Sequence, residues 1–301
     1  MKNHEFIFID LRIDWAFKYV YGTRGNEDLL LQLLTAILPE KRICKVSLCE
    51  QEQMPDRQEQ RKAVFDVNCT TENDESFIIE MQYAEQNDFA NRMMYYSGFP
   101  IRNDVRSGDR ESNVYKFKPV YVIGILNFLM PGVEKNDRLI NRYSVRNDQY
   151  PHDMLFDDWH CITVELPKLG NDPKELNADE KQLYVIKNSG SMSSRPDEFK
   201  AKAFDKLFGV INFASMSEKD QEIYESEFRW ILNRNSEMAT AIEKGLQLGQ
   251  TQGIAQGIAQ GRAEGIQEGK LEIACSMKAD GMSSESICKY TGLTLEQIAE
   301  L

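Results

Sequence analysis

Between Ala63 and Tyr83 the chain reads AVFDVNCTTENDESFIIEMQY, and this stretch holds the residues best suited to chemistry. Two β-type runs each carry one carboxylate among apolar neighbours, Asp66 and Glu80, and Gln82 follows two positions after the second. Alternation puts Val64, Asp66, Asn68 and Thr70 on one face of the first strand, and Ile78, Glu80 and Gln82 on one face of the next. Phe65, Val67, Cys69, Phe77, Ile79 and Met81 then make the opposite, core-facing surface. A hairpin closed by the three-residue loop Glu72-Asn73-Asp74 sets Asp66 opposite Glu80 and Val64 opposite Gln82. A loop of even length would set Asp66 against Met81 and separate the carboxylates.

Two carboxylates this close on a half-buried sheet face repel unless a proton or a cation lies between them. A hard divalent ion suits the gap, held by one or two carboxylates and otherwise by water and a substrate phosphate. An ion so held can activate water and stabilise charge on a phosphodiester. Gln82 could orient the attacking water or a phosphate oxygen. The plainer alternative is that Asp66 and Glu80 decorate a solvent-facing side of the sheet, since Asp-x13-Glu-x-Gln is short and weakly specific.

The elements that must position these residues are legible as periods. Asp14–Lys18 begins a short helix ending at Gly22, and Asn26–Leu38 a stronger one that Pro39 stops. Val46–Glu52, Ala63–Thr70 and Ser76–Tyr83 read as strands, Phe89–Arg106 as a helix and Val120–Phe128 as a buried strand. This is an α/β plan. Farther on, Arg142–Arg146 and His160–Leu166 read as strands, and Ala178–Lys187, Asp197–Asn212 and Glu218–Thr240 as helices. The expected divisions are a core over 1–133, an α+β extension packed on it over 134–240, a glycine-periodic segment over 241–270 and a small helical module over 271–301.

Composition narrows the class. The 301 residues carry 36 Lys+Arg against 48 Asp+Glu, a formal charge of −12, with 42% hydrophobic residues, an ordinary soluble balance. No run approaches the roughly 18 apolar residues of a membrane span, and Met1–Arg12 lacks the pattern of a secretory signal, so a cytoplasmic protein without membrane partners is expected. The acidic balance argues against a broad basic DNA-reading surface, but not against an enzyme meeting nucleic acid through a local patch and a metal. The six cysteines form no C-x-x-C pair and read as buried free thiols. His152, His160 and Cys161 match no zinc-ligand spacing.

Glycine recurs at 245, 249, 253, 257, 261, 265 and 269. Each costs a helix about 1 kcal/mol relative to Ala, so the segment is either a tether or partly formed helix, or a helix whose bare stripe lets a partner approach. Beyond it, Leu271–Ala279, Ser284–Thr291 and Thr294–Leu301 read as three short helices, with Ser283 or Ser284 and Thr294 as N-caps. The set has a helix-turn-helix outline, but Thr294–Leu301 has no Lys or Arg, which favours packing or assembly over DNA reading.

Taken together, Asp14-Trp15-Ala16-Phe17-Lys18 with Gly22, Leu29–Leu38, Val64–Val67, Phe77–Gln82, Phe89 with Arg92 and Tyr95-Tyr96, and Pro119–Ile123 give the chain a likeness. It resembles the PD-(D/E)XK nuclease family transposases, close to the recombination-promoting nuclease/putative transposase group. The resemblance implies a restriction-endonuclease-like αβββαβ core with additional α+β elements and a helical C-terminal tail, and Mg2+- or Mn2+-dependent DNA cleavage tied to mobile elements or recombination. It puts Asp66 at the motif's first Asp, Glu80 at its Asp/Glu and Gln82 at its Lys, with Asp66, Glu80 and the backbone carbonyl of Met81 as metal ligands. Gln82 departs from the pattern by removing a positive charge, which Lys18 could restore if it is not simply a surface residue. Arg92, Arg102, Arg106 and Arg110 could meet DNA phosphates, or form a solvated helix face with Asp104, Asp109 and Glu111. Homo-oligomerisation through the tail is expected. The competing function is a catalytically weak nuclease fold that binds DNA or partners.

Overall fold

A computed structural model describes residues 6–53, 63–107, 117–132 and 136–301. Helix α1 (Asp14–Tyr21) ends at Gly22, and α2 (Glu27–Ile37) buries Leu29, Leu30, Leu33, Leu34 and Ile37, the stripe its sequence period requires. The strands that follow are β1 (Val46–Leu48), the short pair β2 (Glu52–Gln53) and β3 (Ala63–Val64), then β4 (Val67–Thr71) and β5 (Ser76–Gln82). Helix α3 (Phe89–Ser107) crosses to β6 (Val120–Leu126), followed by β7 (Ile140–Tyr143) and β8 (Trp159–Glu165). Six strands form one mixed sheet in the order β1-β4-β5-β6-β8-β7, and β2 pairs with β3 separately. The β5–β6 and β6–β8 pairs are parallel and the rest antiparallel.

Both faces of the central strands are buried. Ile78, Val120 and Val122 pack under Phe89, Met93 and Phe99 of α3. Phe77, Ile79 and Ile123, on the other face by alternation, are equally inaccessible, and α1 and α2 touch β5 and β1. A solvent-facing side of the sheet at Glu80 is therefore excluded, because every residue of β5 after Ser76 is buried.

The β4–β5 hairpin has the expected register. Val67 pairs with Ile79, Asn68 with Ile78, Cys69 with Phe77 and Thr70 with Ser76. The three-residue loop closes through Thr71 N–H donating to the Glu75 carbonyl, with Asp74 in the left-handed region at φ 59°, the usual way such a loop turns. The strand expected over Ala63–Thr70 is nevertheless interrupted. Val64 pairs with Glu52, not Gln82, and Phe65 donates its N–H to Gln51. The chain bends at Asp66 before joining the main sheet. The bend reverses alternation, so Phe65 joins Ile78 in the cluster beneath α3 instead of sharing a face with Val67.

Later elements depart from expectation for local reasons. The ladder of β7 lies at Ile140–Tyr143 instead of 142–146. The helix expected over 197–212 is two 3₁₀ turns and the short α5 (Asp205–Val210), after α4 (Ala178–Asn188). Arg195 claims the carbonyls of Phe199 and Ala201 there, which a continuous helix would need for itself. Helix α6 starts at Glu218 as expected but runs on to Ala279, through all seven periodic glycines. No proline interrupts it.

The chain separates into two units, Met1–Arg229 and Trp230–Leu301. In the second, α7 (Ser284–Thr291) and α8 (Leu295–Ala299) close a small core of Ala274, Ile287, Leu293 and Ile298. Ser283 and Thr294 cap these helices, the latter in a capping box with Gln297. Among the described residues no helix is long and apolar enough to cross a membrane. The six cysteines are free, but only Cys69 is buried, and Cys44 and Cys275 are exposed.

Candidate active site

Asp66 and Glu80 meet where β4 gives out. The next position along the ladder after Val67–Ile79 would pair them, and at the bend they interlock instead. The Asp66 N–H donates to Glu80 Oε1 at 3.3 Å, and the Met81 N–H donates to Asp66 Oδ2 at 2.7 Å. Glu80 is 1% exposed, and Asp66 is also buried. Gln82, buried as well, follows Glu80 on the same face of β5 by alternation.

Two glycines permit this closeness. A Cβ on Gly22 would stand 2.9 Å from the Lys18 carbonyl and 3.3 Å from that of Asp66, so the end of α1 can settle against the bend only without one. On β6, Gly124 is the register partner of Glu80. A Cβ there would overlap the Phe89 ring at 2.6 Å, so its absence lets the start of α3 lie over Glu80.

Cations reach the carboxylates from both helices. Lys18 Nζ lies 3.1 Å from Asp66 Oδ1 and 2.9 Å from Asp14 Oδ2. Arg92 on α3 lies 3.3 Å from Glu80 Oε2 and donates to the Tyr96 hydroxyl at 3.2 Å. Lys18 is thus a bridging residue of the site and not a plain surface lysine. Burial alone would lower its pKa, but Asp66 and Asp14 outweigh that and raise it. Asp66 moves the opposite way for a carboxylate: burial first, then the charges of Glu80 and Asp14, push it well above the usual range. Burial pushes Glu80 up to about 7, although the Asp66 N–H, Arg92 and Lys18 pull it down. Both groups therefore hold protons more tightly than free carboxyls, as acids do when buried beside like charge.

A divalent ion fits such a donor set. It would replace the protons that burial and mutual repulsion retain, and magnesium needs few protein ligands beyond one or two carboxylates. Among the described residues no cluster of three or more His, Cys, Asp or Glu side chains is arranged around one ion position, so any remaining coordination must come from backbone, water or substrate. His160 is engaged elsewhere, stacked on Tyr121 with ring centroids 4.3 Å apart.

Of the five cations expected to meet nucleic acid, Lys18 and Arg92 touch the carboxylates. Arg102 sits farther along α3 with its guanidinium 5.0 Å from the Phe99 ring centroid. The Arg106 side chain and the whole of Arg110 lie outside the described residues. Asp14, read in the sequence as the start of a helix and not as a site residue, belongs here as well: Asp14 and Lys18 have the i, i+4 spacing of a helical ion pair. The pair Asp10 and Arg12 was missed too. Asp10 grips Arg12 through both carboxylate oxygens, at 2.9 and 2.7 Å, and Arg12 also reaches Asn127 at 3.5 Å. Asn127 donates its backbone N–H to the Gln82 carbonyl, which puts Arg12 near the same end of β5. Nothing in the Asp10-x-Arg12 spacing distinguishes it from a surface pair.

Comparison with known proteins adds one finding. A family model described as PD-(D/E)XK nuclease family transposase matches residues 11–241, a span containing Lys18, Asp66, Glu80, Gln82 and Arg92. Searches of curated proteins and of solved structures return no significant match.

Proposed function

The chain belongs to the PD-(D/E)XK nuclease family transposases, and from that premise we propose that it is a metal-dependent DNA endonuclease serving mobile elements or recombination. The run α1–β1–β4–β5–α3–β6 is our reading of the family's αβββαβ core. The observation that carries the proposal is the interlocked, buried Asp66–Glu80 pair between two cations. Asp66, Glu80 and the Met81 carbonyl would hold Mg2+ or Mn2+, which when bound supplies an acidified water and neutralises phosphate charge. Lys18 takes over the charge that Gln82 lacks, because its ammonium already lies against Asp66, and it can turn to a phosphate oxygen there. Gln82 orients the attacking water through its amide. Arg92 steadies Glu80 and meets the phosphate backbone on the α3 side.

Cleavage of supercoiled plasmid with added Mg2+ tests this directly. Wild-type protein should nick or linearise the plasmid, and Asp66→Ala, purified identically, should not. Equal cleavage by both would refute the assignment. DNA binding without cleavage by either would favour the competing function, a catalytically weak binding protein.

We also propose that the second unit self-associates. Ile254, Ile258 and Ile266 are each more than half exposed, and a Cβ added at any of the seven periodic glycines would meet nothing within 4 Å. A helix weakened by that many glycines gains from a partner that covers its isoleucines. The glycine stripe drifts by about 40° per repeat, so the partner must wrap around it. Replacing Gly253, Gly257 and Gly261 by Leu should lower the oligomer mass in light scattering. An unchanged mass with higher helicity would show the segment to be a spacer.

A further inference from the structure

Around the candidate site the cations are already engaged. Lys18 lies between Asp66 and Asp14, Arg92 against Glu80, and Arg12 in the grip of Asp10. Each balances a carboxylate of the protein itself, so together they add no surplus positive charge to draw a polyanion to a chain of formal charge −12. Arg24 differs. It is exposed, and among the described residues no carboxylate, carbonyl or ring takes its guanidinium.

The turn that carries Arg24 is pinned on both sides and lies against the site. Helix α1 ends at Gly22, whose N–H donates to the Lys18 carbonyl at 2.8 Å and whose missing Cβ would stand 3.3 Å from the Asp66 carbonyl. After Arg24, Gly25 takes φ 97°, a value that favours glycine. Its N–H donates to Glu27 Oε2 at 2.8 Å, and its carbonyl accepts from Lys206. Asn26 then donates from its side chain to the Val20 carbonyl at 3.0 Å. These bonds fix the backbone and leave the Arg24 side chain unspent. The Cα atoms of Lys18 and Arg24 are at most about 15 Å apart, at 1.5 Å per residue to Tyr21 and about 3.6 Å per residue beyond. A DNA strand covers that span in about four nucleotides.

Two cavities of about 600 and 470 Å3 adjoin at this turn, and Arg24 and Leu48 line both. Gly22 and Gln51 line the smaller, which therefore borders the bend at Asp66, since the Gln51 carbonyl holds the Phe65 N–H. Leu48 belongs to β1, the end strand of the sheet. Cys49 donates its N–H to the Asn68 carbonyl on the β4 side, so by antiparallel alternation the Leu48 N–H points away from β4. Among the described residues no carbonyl accepts it. A guanidinium and an open-edge amide, both unspent and both on the wall shared by two cavities, are donors of the kind that hold a DNA phosphate.

We propose that Arg24, with the Leu48 N–H, holds a phosphate of bound DNA a few nucleotides from the scissile one. This rests on the nuclease reading and adds to it the path of the strand, which passes the C-terminal end of α1 and the open edge of β1.

The test is binding of a fluorescein-labelled DNA duplex to the full chain in EDTA across a salt series. Arg24→Ala should weaken binding about fivefold at low salt and lower the slope of log affinity against log salt by about one, as loss of one phosphate contact does. Arg24→Lys, which keeps the charge, should keep the slope. Lys174→Ala, which removes an exposed cation lining neither cavity, should bind as wild type does. An Arg24→Ala protein with the wild-type slope, or equal losses in Arg24→Ala and Lys174→Ala, would overturn the proposal. So would a wild-type chain that does not bind the duplex. Reading binding without metal keeps the two ideas apart. Arg24-dependent binding by protein that fails to cleave plasmid supports the contact and counts against hydrolysis. Cleavage by wild type and Arg24→Ala with the same KM and the same salt dependence overturns the contact alone.

Discussion

Two carboxylates flank the central strand β6, Glu80 on β5 and Glu165 on β8, and they are equally hidden at 1% and 2% exposure. Their partners differ. Glu165 accepts from Asn141 Nδ2 at 2.7 Å and the Met130 N–H at 3.1 Å, and pairs with Lys168 at 3.1 Å. Glu80 has two contacts of 3.3 Å, from the Asp66 N–H and Arg92, and a second carboxyl group beside it. One set of donors is short and complete, while the other is long and shared with like charge. Burial therefore does not mark a working carboxylate, because a buried acid fully satisfied by the protein has no capacity left for a ligand. On the proposed reading, the mark is a buried acid whose surroundings raise its pKa and leave it short of counter-charge.

The difference should appear as an exchange of phenotypes. Glu80→Ala should reduce Mg2+-dependent cleavage on the order of a thousandfold while the denaturation midpoint holds or rises. Glu165→Ala should do the reverse, costing about 3 kcal/mol because the Asn141 amide, the Met130 N–H and Lys168 all lose their acceptor. Urea titration beside a plasmid assay reads both quantities. A destabilised Glu80→Ala protein, or a Glu165→Ala protein that folds normally and cannot cleave, would erase the distinction.

The next effect is smaller and bears on the charge balance around Asp66. Lys18→Met should slow cleavage on the order of a hundredfold, since the Gln82 amide offers no charge in its place. Gln82→Lys alone should change the rate little, because Lys18 is already present. In the Lys18→Met background the same substitution should recover part of the loss. If Gln82→Lys rescues nothing there, the ammonium is needed at the α1 position itself.

How much of this was legible beforehand follows from range. The register of β4 and β5 depends on a three-residue loop and on alternation, both local, and it could be read from Glu72-Asn73-Asp74 and the apolar pattern. So could α1, α2 and the caps at Ser283 and Thr294. The bend at Phe65–Asp66 could not, because it arises from a bond between Phe65 and Gln51, fourteen residues earlier, which alternation does not encode. The burial of Glu80 on both sides was hidden for a similar reason. Gly124 and Phe89 reveal it only once β6 is placed beside β5. The sequence leaves the continuity of α6 open, because seven glycines weaken a helix while no proline, the stronger breaker, falls between Glu218 and Ala279. Lys18 joined Asp66 through tertiary packing alone, and its sequence neighbours read equally well as surface.

The smallest expected effect concerns stability without metal. Burial raises the folded-state pKa of Glu80 to about 7, against roughly 4.3 in an unfolded chain. Between those values the folded protein binds more protons than the unfolded one, so stability falls as pH rises, and the loss is complete above the folded pKa. Asp66 shifts in the same direction and steepens the fall. In EDTA, wild-type protein should thus be more stable near pH 5 than near pH 8. Glu80→Gln, with no proton to release at that position, should match wild type near pH 4.5 and exceed it at pH 8 by on the order of 2 kcal/mol. Added Mg2+ should restore the wild type at pH 8 and leave the variant unmoved, because the ion takes the place of the lost protons only where two carboxylates remain. Urea midpoints across pH, with and without the ion, measure both slopes. If wild type and Glu80→Gln ran parallel through the whole range, Glu80 would be as well satisfied as Glu165, and the contrast between them would have no energetic content.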